Sequence, residues 1–395
     1  MNSKRIYLDN AATTPLRAEV VEAMREAAVD AGYNPSSLHA EGRKAAGLLD
    51  SARDRAAVVL GVHRSEITFT SGGTESDNLA VVGAARAAVQ GANVICSAVE
   101  HHAVLAAVQM LADGGYRPNV LPVGSDGRVD LEVFSQALRP GAAVASVMYA
   151  NNETGVIQPI GPLAAAARTR GVPFHTDAVQ APDWLPLDVA SLGVDLLSLS
   201  AHKFGGPKGV GLLYVRRGTP LHPILSGGGQ EFGRRAGTEN LAGIAGMVTA
   251  LELASAQRVQ ASERVRRLRD HLEDGIRSTV PDVRINGGET DRLPNICNVS
   301  FAGAESAGLL MALDLAGVAV SAGSACTSGN LEPSHVLEAM GLDPRWRRGA
   351  IRFSLGPSAT AAEVERVLEI LPALVADLRR PSVTEGRSGL GRGDG

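Results

Sequence analysis

VPFHTDAVQ (172–180) and DLLSLSAHKFGGPKGVG (195–211) decide how this chain folds. VPFHTD (172–177) reads as a buried strand that ends in an acid, Asp177. DLLSLS (195–200) reads as a second, ending in Ser200 with His202 and Lys203 just beyond it. GVGLLYV (209–215) reads as a third. In open parallel sheets, ligands collect beyond the carboxyl ends of the strands. An acid and a lysine placed there, from different strands, face one small molecule.

Outward from this stretch, short apolar runs alternate with helical spacing. EITFT (66–70), NVICSA (93–98) and AVASVMYA (143–150) read as strands, and 74–90, 103–113 and 161–170 as helices. Residues 18–31 and 43–60 also repeat apolar positions at helical spacing. Short continuous strands separated by helices are the mark of a mostly parallel sheet covered on both faces. The expected fold is therefore α/β, with a large domain over 12–260. A charged helix over 251–279 leads into a smaller α+β domain, formed by 1–11 and 261–380. It mixes strands (295–301, 350–355) with helices (305–315, 362–379). The last fifteen residues, 381–395, contain five glycines and no aromatic, and read as a flexible tail.

With 395 residues, the chain is long enough for two or three domains. Aromatics make up only 4 %, so Ala, Val and Leu must fill the cores. The net charge of −4 is spread along the chain and offers no basic surface for nucleic acid. There is no uninterrupted apolar run of about 18 residues for a membrane span. The opening MNSKRIYLDN lacks an apolar signal core. The cysteines, Cys96, Cys297 and Cys326, are too few and odd in number for a disulfide framework. A cytoplasmic protein is expected.

Pyridoxal phosphate needs both an acid and a lysine. It is held as a Schiff base on a lysine, and an acid keeps its pyridine nitrogen protonated. Taken singly, Lys203 reads as a solvated loop lysine and Asp177 as a helix cap. Together they read as a cofactor site. TSGGTESDN (70–78) is a strand end, a glycine turn and a helix start, whose backbone N–H groups can hold a phosphate. Gly73 allows close backbone approach there, and Thr74, Ser200 and His202 add donors. His101 and His102 stand without a recognisable metal-ligand spacing around them, so no metal is expected. A ring stacked on the cofactor, or a proton shuttle, suits His101 better.

Long ordered motifs now carry a resemblance: YLDNAATTP (7–15), NPSSLHAEGR (34–43), SGGTESDN (71–78), EHHAV (100–104), NNETG (151–155), TDAVQ (176–180), SAHKFGGPKG (200–209), RRAGTEN (234–240), SAGSACTSGNLEPSHVL (321–337) and IRFSLG (351–356). The chain resembles the cysteine desulfurases, class V of the fold-type-I pyridoxal-phosphate enzymes. The resemblance implies that Lys203 carries the cofactor, Asp177 pairs with its ring nitrogen and Gln180 hydrogen-bonds its phenolic oxygen. It implies that His101 stacks on the ring and that Thr74, Ser200 and His202 hold the phosphate. Thr238 would reach the phosphate of a neighbouring copy, which implies a homodimer. Asn152 and Arg352 would bind the substrate carboxylate, a task suited to the planar arginine fork. Many relatives have Ala where this chain has Gly73.

Cys326 narrows the chemistry. Its surroundings, SAGSACTSGN, have loop composition, and a loop cysteine can form a thiolate. Cys96 and Cys297 sit in apolar strands and read as inert. The matching motif implies that Cys326 takes sulfur from L-cysteine as a persulfide, leaving L-alanine. The loop length implies delivery to an acceptor protein, for iron–sulfur clusters, thio-cofactors or tRNA thiolation. A selenocysteine lyase, a class V aminotransferase and a catalytically idle scaffold remain as alternatives.

Overall fold

The computed structural model describes residues 5–139, 141–322 and 334–380. Cys326 and the 381–395 tail lie outside the described residues. The chain opens on β1 (Ile6–Tyr7). A seven-stranded sheet follows, made of β2 (Ile67–Thr70), β3 (Asn93–Ser97), β4 (Arg117–Leu121), β5 (Val144–Ser146), β6 (Phe174–Asp177), β7 (Leu196–Ser200) and β8 (Gly211–Val215). Its strand order is β2-β8-β7-β6-β5-β3-β4. β8 runs antiparallel to both of its neighbours, β2 and β7, and the other pairs are parallel.

Side chains of successive strand residues point to opposite faces, and both faces here are buried. Ile95, Ala145, Leu197 and Leu212 pack into one core with the helices Ala40–Leu60 and Ile160–Thr169. Their neighbours Val94, Val144, Leu196 and Leu213 pack into another, under the helices Gly73–Ala87 and His102–Asp113. This is why the strands read as continuous apolar runs rather than as alternation.

The C-terminal region adds β9 (Val283–Ile285), β10 (Ile296–Phe301), β11 (Val318–Ala319) and β12 (Ala350–Ser354). β10 is the centre of an antiparallel sheet between β12 and β9, and β11 pairs with β1 in parallel. Ile6 and Leu8 join the core of this region, beside Val299, Phe301 and Phe353. No helix among the described residues is long and apolar enough to cross a membrane.

Three sequence expectations need correction. The strand expected over 143–150 is regular only over Val144–Ser146; beyond it Val147 N and Tyr149 N still donate to the carbonyls of His175 and Asp177, which brings Met148 and Asn152 to a cavity at the strand ends. β4 was not expected. It carries Pro118 and exposed residues, which suit the sheet edge where it lies. The charged helix starts at Leu241 rather than 251 and runs to Thr279. Its early glycines hide the helical pattern but serve close packing: a Cβ on Gly246 would stand 2.6 Å from Met24. The first half of this helix packs in the large-sheet core through Ile244, Met247 and Leu251. The second half packs in the C-terminal core through Val265, Leu272 and Ile276.

Gly211 opens β8 against the turn after β2. A Cβ there would meet the Gly72 backbone at 2.6–2.7 Å. Gly211→Ala must therefore push strand and turn apart, at a cost of about 1–3 kcal/mol. Urea unfolding should show a lower midpoint, and an unchanged midpoint would contradict this packing.

Candidate active site

A cavity of about 280 Å³ lies beyond the carboxyl ends of the parallel strands. β2 leads into Gly73 and Thr74, β3 into His101, and β5 into Asn152. β6 ends on Asp177, and β7 ends on Ser200 with Lys203 following. From the C-terminal region, Arg352 on β12 closes the far wall. Gly73, Thr74, His101, Asn152, Asp177, Gln180, Ser200, His202, Lys203 and Arg352 all line this one cavity. Thr238 does not. It sits in an exposed segment before the long helix. Cys326 is outside the described residues.

Lys203 is one of four lysines in the chain, with Lys4, Lys44 and Lys208. Its Nζ donates to the carbonyls of Ala11 at 2.6 Å and Ala12 at 3.0 Å. Burial and the positive charge of Arg352 bring its pKa down to about 8. A neutral amine is thus within reach at moderate pH. YLDNAATTP (7–15) holds this end of the cavity. Thr14 bonds the His202 and Lys203 carbonyls, and Gln180 Nε2 donates to Ala11 O at 3.0 Å.

Asp177 accepts from Val179 N at 2.9 Å. Burial pushes its carboxyl up, and Lys203 opposes that rise. Behind it, the buried His175 ring contacts Ser146 Oγ at 2.8 Å and Ser198 Oγ at 2.9 Å. Burial holds that ring neutral, with a pKa down at about 3. Asp77 and Glu100 are buried nearby, and burial raises both carboxyls, Glu100 to about 8. Asp77 Oδ1 and Glu100 Oε2 have no hydrogen-bond partner among the described residues. These two acids were missed in the sequence. Asp77 lies one helical turn after Thr74, so the spacing places both on one helix face.

The helix Gly73–Ala87 begins without a side-chain cap, so its first N–H groups stay open beside Thr74 and Ser200. His202 and His101 are both held neutral, with pKa values lowered to about 4 by burial and then by Lys203. His101 Nδ1 accepts from Ala103 N at 3.1 Å. This leaves Nε2 to carry the proton of the neutral ring. Arg352 donates to Asp9 Oδ1 and to the carbonyl of Asn152, each at 2.8 Å. Cys96 and Cys297 are buried and free, and burial raises both thiols.

The set fits a phosphorylated pyridoxal. It offers an amine of lowered pKa, a buried acid, an uncapped helix start with hydroxyls for a phosphate, and an arginine for a carboxylate.

Comparison with known proteins points to a family that uses the same cofactor. The family model "Aminotransferase class-V" matches residues 6–367. The chain is 47 % identical over 377 residues to "Cysteine desulfurase IscS" of Dictyoglomus turgidum, covering 95 % of this chain and 96 % of that one. It is 48 % identical over 378 residues to "Cysteine desulfurase" of Cereibacter sphaeroides, covering 95 % and 97 %. A solved "NIFS-like protein" superposes with a TM-score of 0.88 at 36 % identity, over 95 % of this chain and all of that one.

A lysine amine attacks the aldehyde of pyridoxal phosphate only in its neutral form, and Lys203 is the lysine in this cavity. Capture by cofactor-free protein, followed by absorbance, should therefore speed up through a midpoint near pH 8 and then level. A midpoint at the ordinary lysine value of 10.5 would contradict the role given to burial.

Proposed function

From the premise that the chain belongs to the class-V aminotransferase family, as a pyridoxal-phosphate-dependent cysteine desulfurase, we propose how its own residues convert L-cysteine to L-alanine and take the sulfur onto Cys326. The observation that carries this reading is the meeting of Lys203, Asp177 and Arg352, from separate elements, in one cavity.

When bound, pyridoxal phosphate supplies an electron sink that loosens the Cα proton of an attached amino acid. Lys203 would carry it and, once freed, take that proton. Asp177 would pair with the ring nitrogen and Gln180 with the phenolic oxygen. His101 would stack on the ring. The N–H groups of Gly73 and Thr74, with the Thr74 and Ser200 hydroxyls and the His202 ring, would hold the phosphate. Thr238 of a second copy would complete that cradle, so the working unit is a homodimer. Its exposure, away from the cavity of its own chain, supports this.

Arg352 and Asn152 would orient the substrate through its carboxylate, with Asp9 and the Asn152 carbonyl fixing the arginine fork. The Cys326 thiolate attacks the substrate sulfur. An S–S bond forms and the C–S bond breaks. The Cys326 thiol proton is balanced by the hydrogen gained at the alanine methyl, so no outside oxidant or reductant enters. His101, neutral and carrying its proton on Nε2, relays protons at these steps. The persulfide then passes to an acceptor protein in the cytoplasm, in support of iron–sulfur cluster, thio-cofactor or tRNA sulfur supply.

Cofactor-loaded protein given L-cysteine and a thiol reductant should release alanine and sulfide in equal amounts, and Cys326→Ala should lose both. A variant as active as the wild type, or one that works only with a keto acid, would favour an aminotransferase instead.

A further inference from the structure

NNETG (151–155) forms a turn built by one side chain. Asn151 Oδ1 accepts from Glu153 N and Thr154 N, both at 2.9 Å, and from Thr154 Oγ1 at 3.1 Å. From this turn the Asn152 carbonyl receives Arg352 Nη1, while the Glu153 side chain points to another partner. Glu153 is only 2 % exposed. Its Oε2 accepts from Ser334 Oγ at 2.5 Å, and its own carbonyl is fixed by Asn298 Nδ2 at 3.0 Å.

Ser334 is 4 % exposed and caps the helix His335–Ala339, accepting from Leu337 N at 3.1 Å. It stands eight residues after Cys326, and Ser321 stands five before it. Ser321 is also fixed to the substrate-binding wall, since its backbone exchanges two hydrogen bonds with that of Arg352, at 2.6 and 3.2 Å. The two points flanking the cysteine are therefore tied to Arg352 and to the neighbour of Asn152. A buried carboxylate is costly where a neutral group would do. The turn itself uses only the backbone of Glu153; its carboxylate lies in the cavity wall near His102, His335 and Arg352, and its one side-chain hydrogen bond among the described residues comes from Ser334.

We propose that Glu153 is a positioning residue for sulfur transfer: through Ser334 it fixes the C-terminal root of the Cys326-bearing segment in register with the bound substrate carboxylate. This deepens the desulfurase reading and rests on it. The attacking and attacked sulfurs must come to within about 3–3.5 Å; Arg352 would place one, and Ser321 and Ser334 flank in sequence the residue that bears the other. A fixed root raises the local concentration of the thiol at the substrate. His335, the next residue, lines the cavity with its ring 4.6 Å from that of His102, and its Nε2 meets Glu100 O at 3.0 Å. The root is thus part of the cavity wall itself.

The test separates substrate binding from sulfur transfer in the loaded full-length enzyme. Binding is read from the cofactor absorbance change as L-cysteine is added. Transfer is read as the single-turnover rate of persulfide on Cys326, by mass spectrometry. Glu153→Ala and Ser334→Ala should slow persulfide formation about tenfold or more, the double variant should be no slower than the slower single, and half-saturation should stay within about threefold. Glu153→Gln keeps an acceptor for Ser334 and should restore the rate to within about threefold. Ser334→Asp keeps the helix cap but loses the donor, and should slow transfer as the alanine variants do. Wild-type persulfide rates in Glu153→Ala, or binding and transfer falling together in every variant, would overturn the proposal. Absence of persulfide on Cys326 in the wild type would overturn the desulfurase reading beneath it.

Discussion

A lysine amine that must be neutral to react has to be kept out of water, and much of this architecture follows from that burial. Burial and the nearby Arg352 bring Lys203 down to about 8, against the pull of Asp177 and Asp9. Such a site needs a wall on every side. The parallel sheet provides the floor, because the ends of its strands converge there. The N-terminal segment and β12 provide the rest. A cation on one side of Lys203 and acids on the other keep the amine poised, so that neither protonation state is overwhelmingly favoured.

The same demand explains why two cores are joined so firmly. Arg352, proposed to anchor the substrate, belongs to the C-terminal sheet, while Lys203 follows a strand of the large one. Their relative placement must hold to within fractions of an ångström for chemistry to proceed. The helix Leu241–Thr279 enters both cores. The segment around residues 8–14 bonds both to Ser354 on β12 and to the carbonyls of His202 and Lys203. A chain that begins in one core and reaches across to the other is a simple way to lock an active site made from two bodies.

How much of this could be read from the sequence depended on the kind of signal. Asp177 and Lys203 were legible because each follows a short apolar strand, and strand ends predict a place in space. The edge strand Arg117–Leu121 was not, because its proline and exposed residues leave no apolar pattern. The first turns of the long helix were masked by glycines that serve packing rather than loop formation. The buried acids Asp77, Glu100 and Glu153 were overlooked for a related reason. A carboxylate in a sequence reads as solvated unless its partners are known; Ser97 stands close to Glu100 in sequence, but Met148 is 48 residues from it and Ser334 is 181 residues from Glu153. Thr238 marks a different limit, since the work proposed for it lies in a second copy of the chain.

The central claim, that Lys203 is the residue around which this site is built, has a direct test. The purified protein would be reduced with borohydride, digested and mapped by mass spectrometry, which fixes the cofactor permanently on whichever lysine carries it. With lysines only at 4, 44, 203 and 208, the result is unambiguous. The account predicts the pyridoxyl adduct on Lys203 alone. An adduct on Lys208, or no adduct on any lysine of a cofactor-saturated sample, would contradict it.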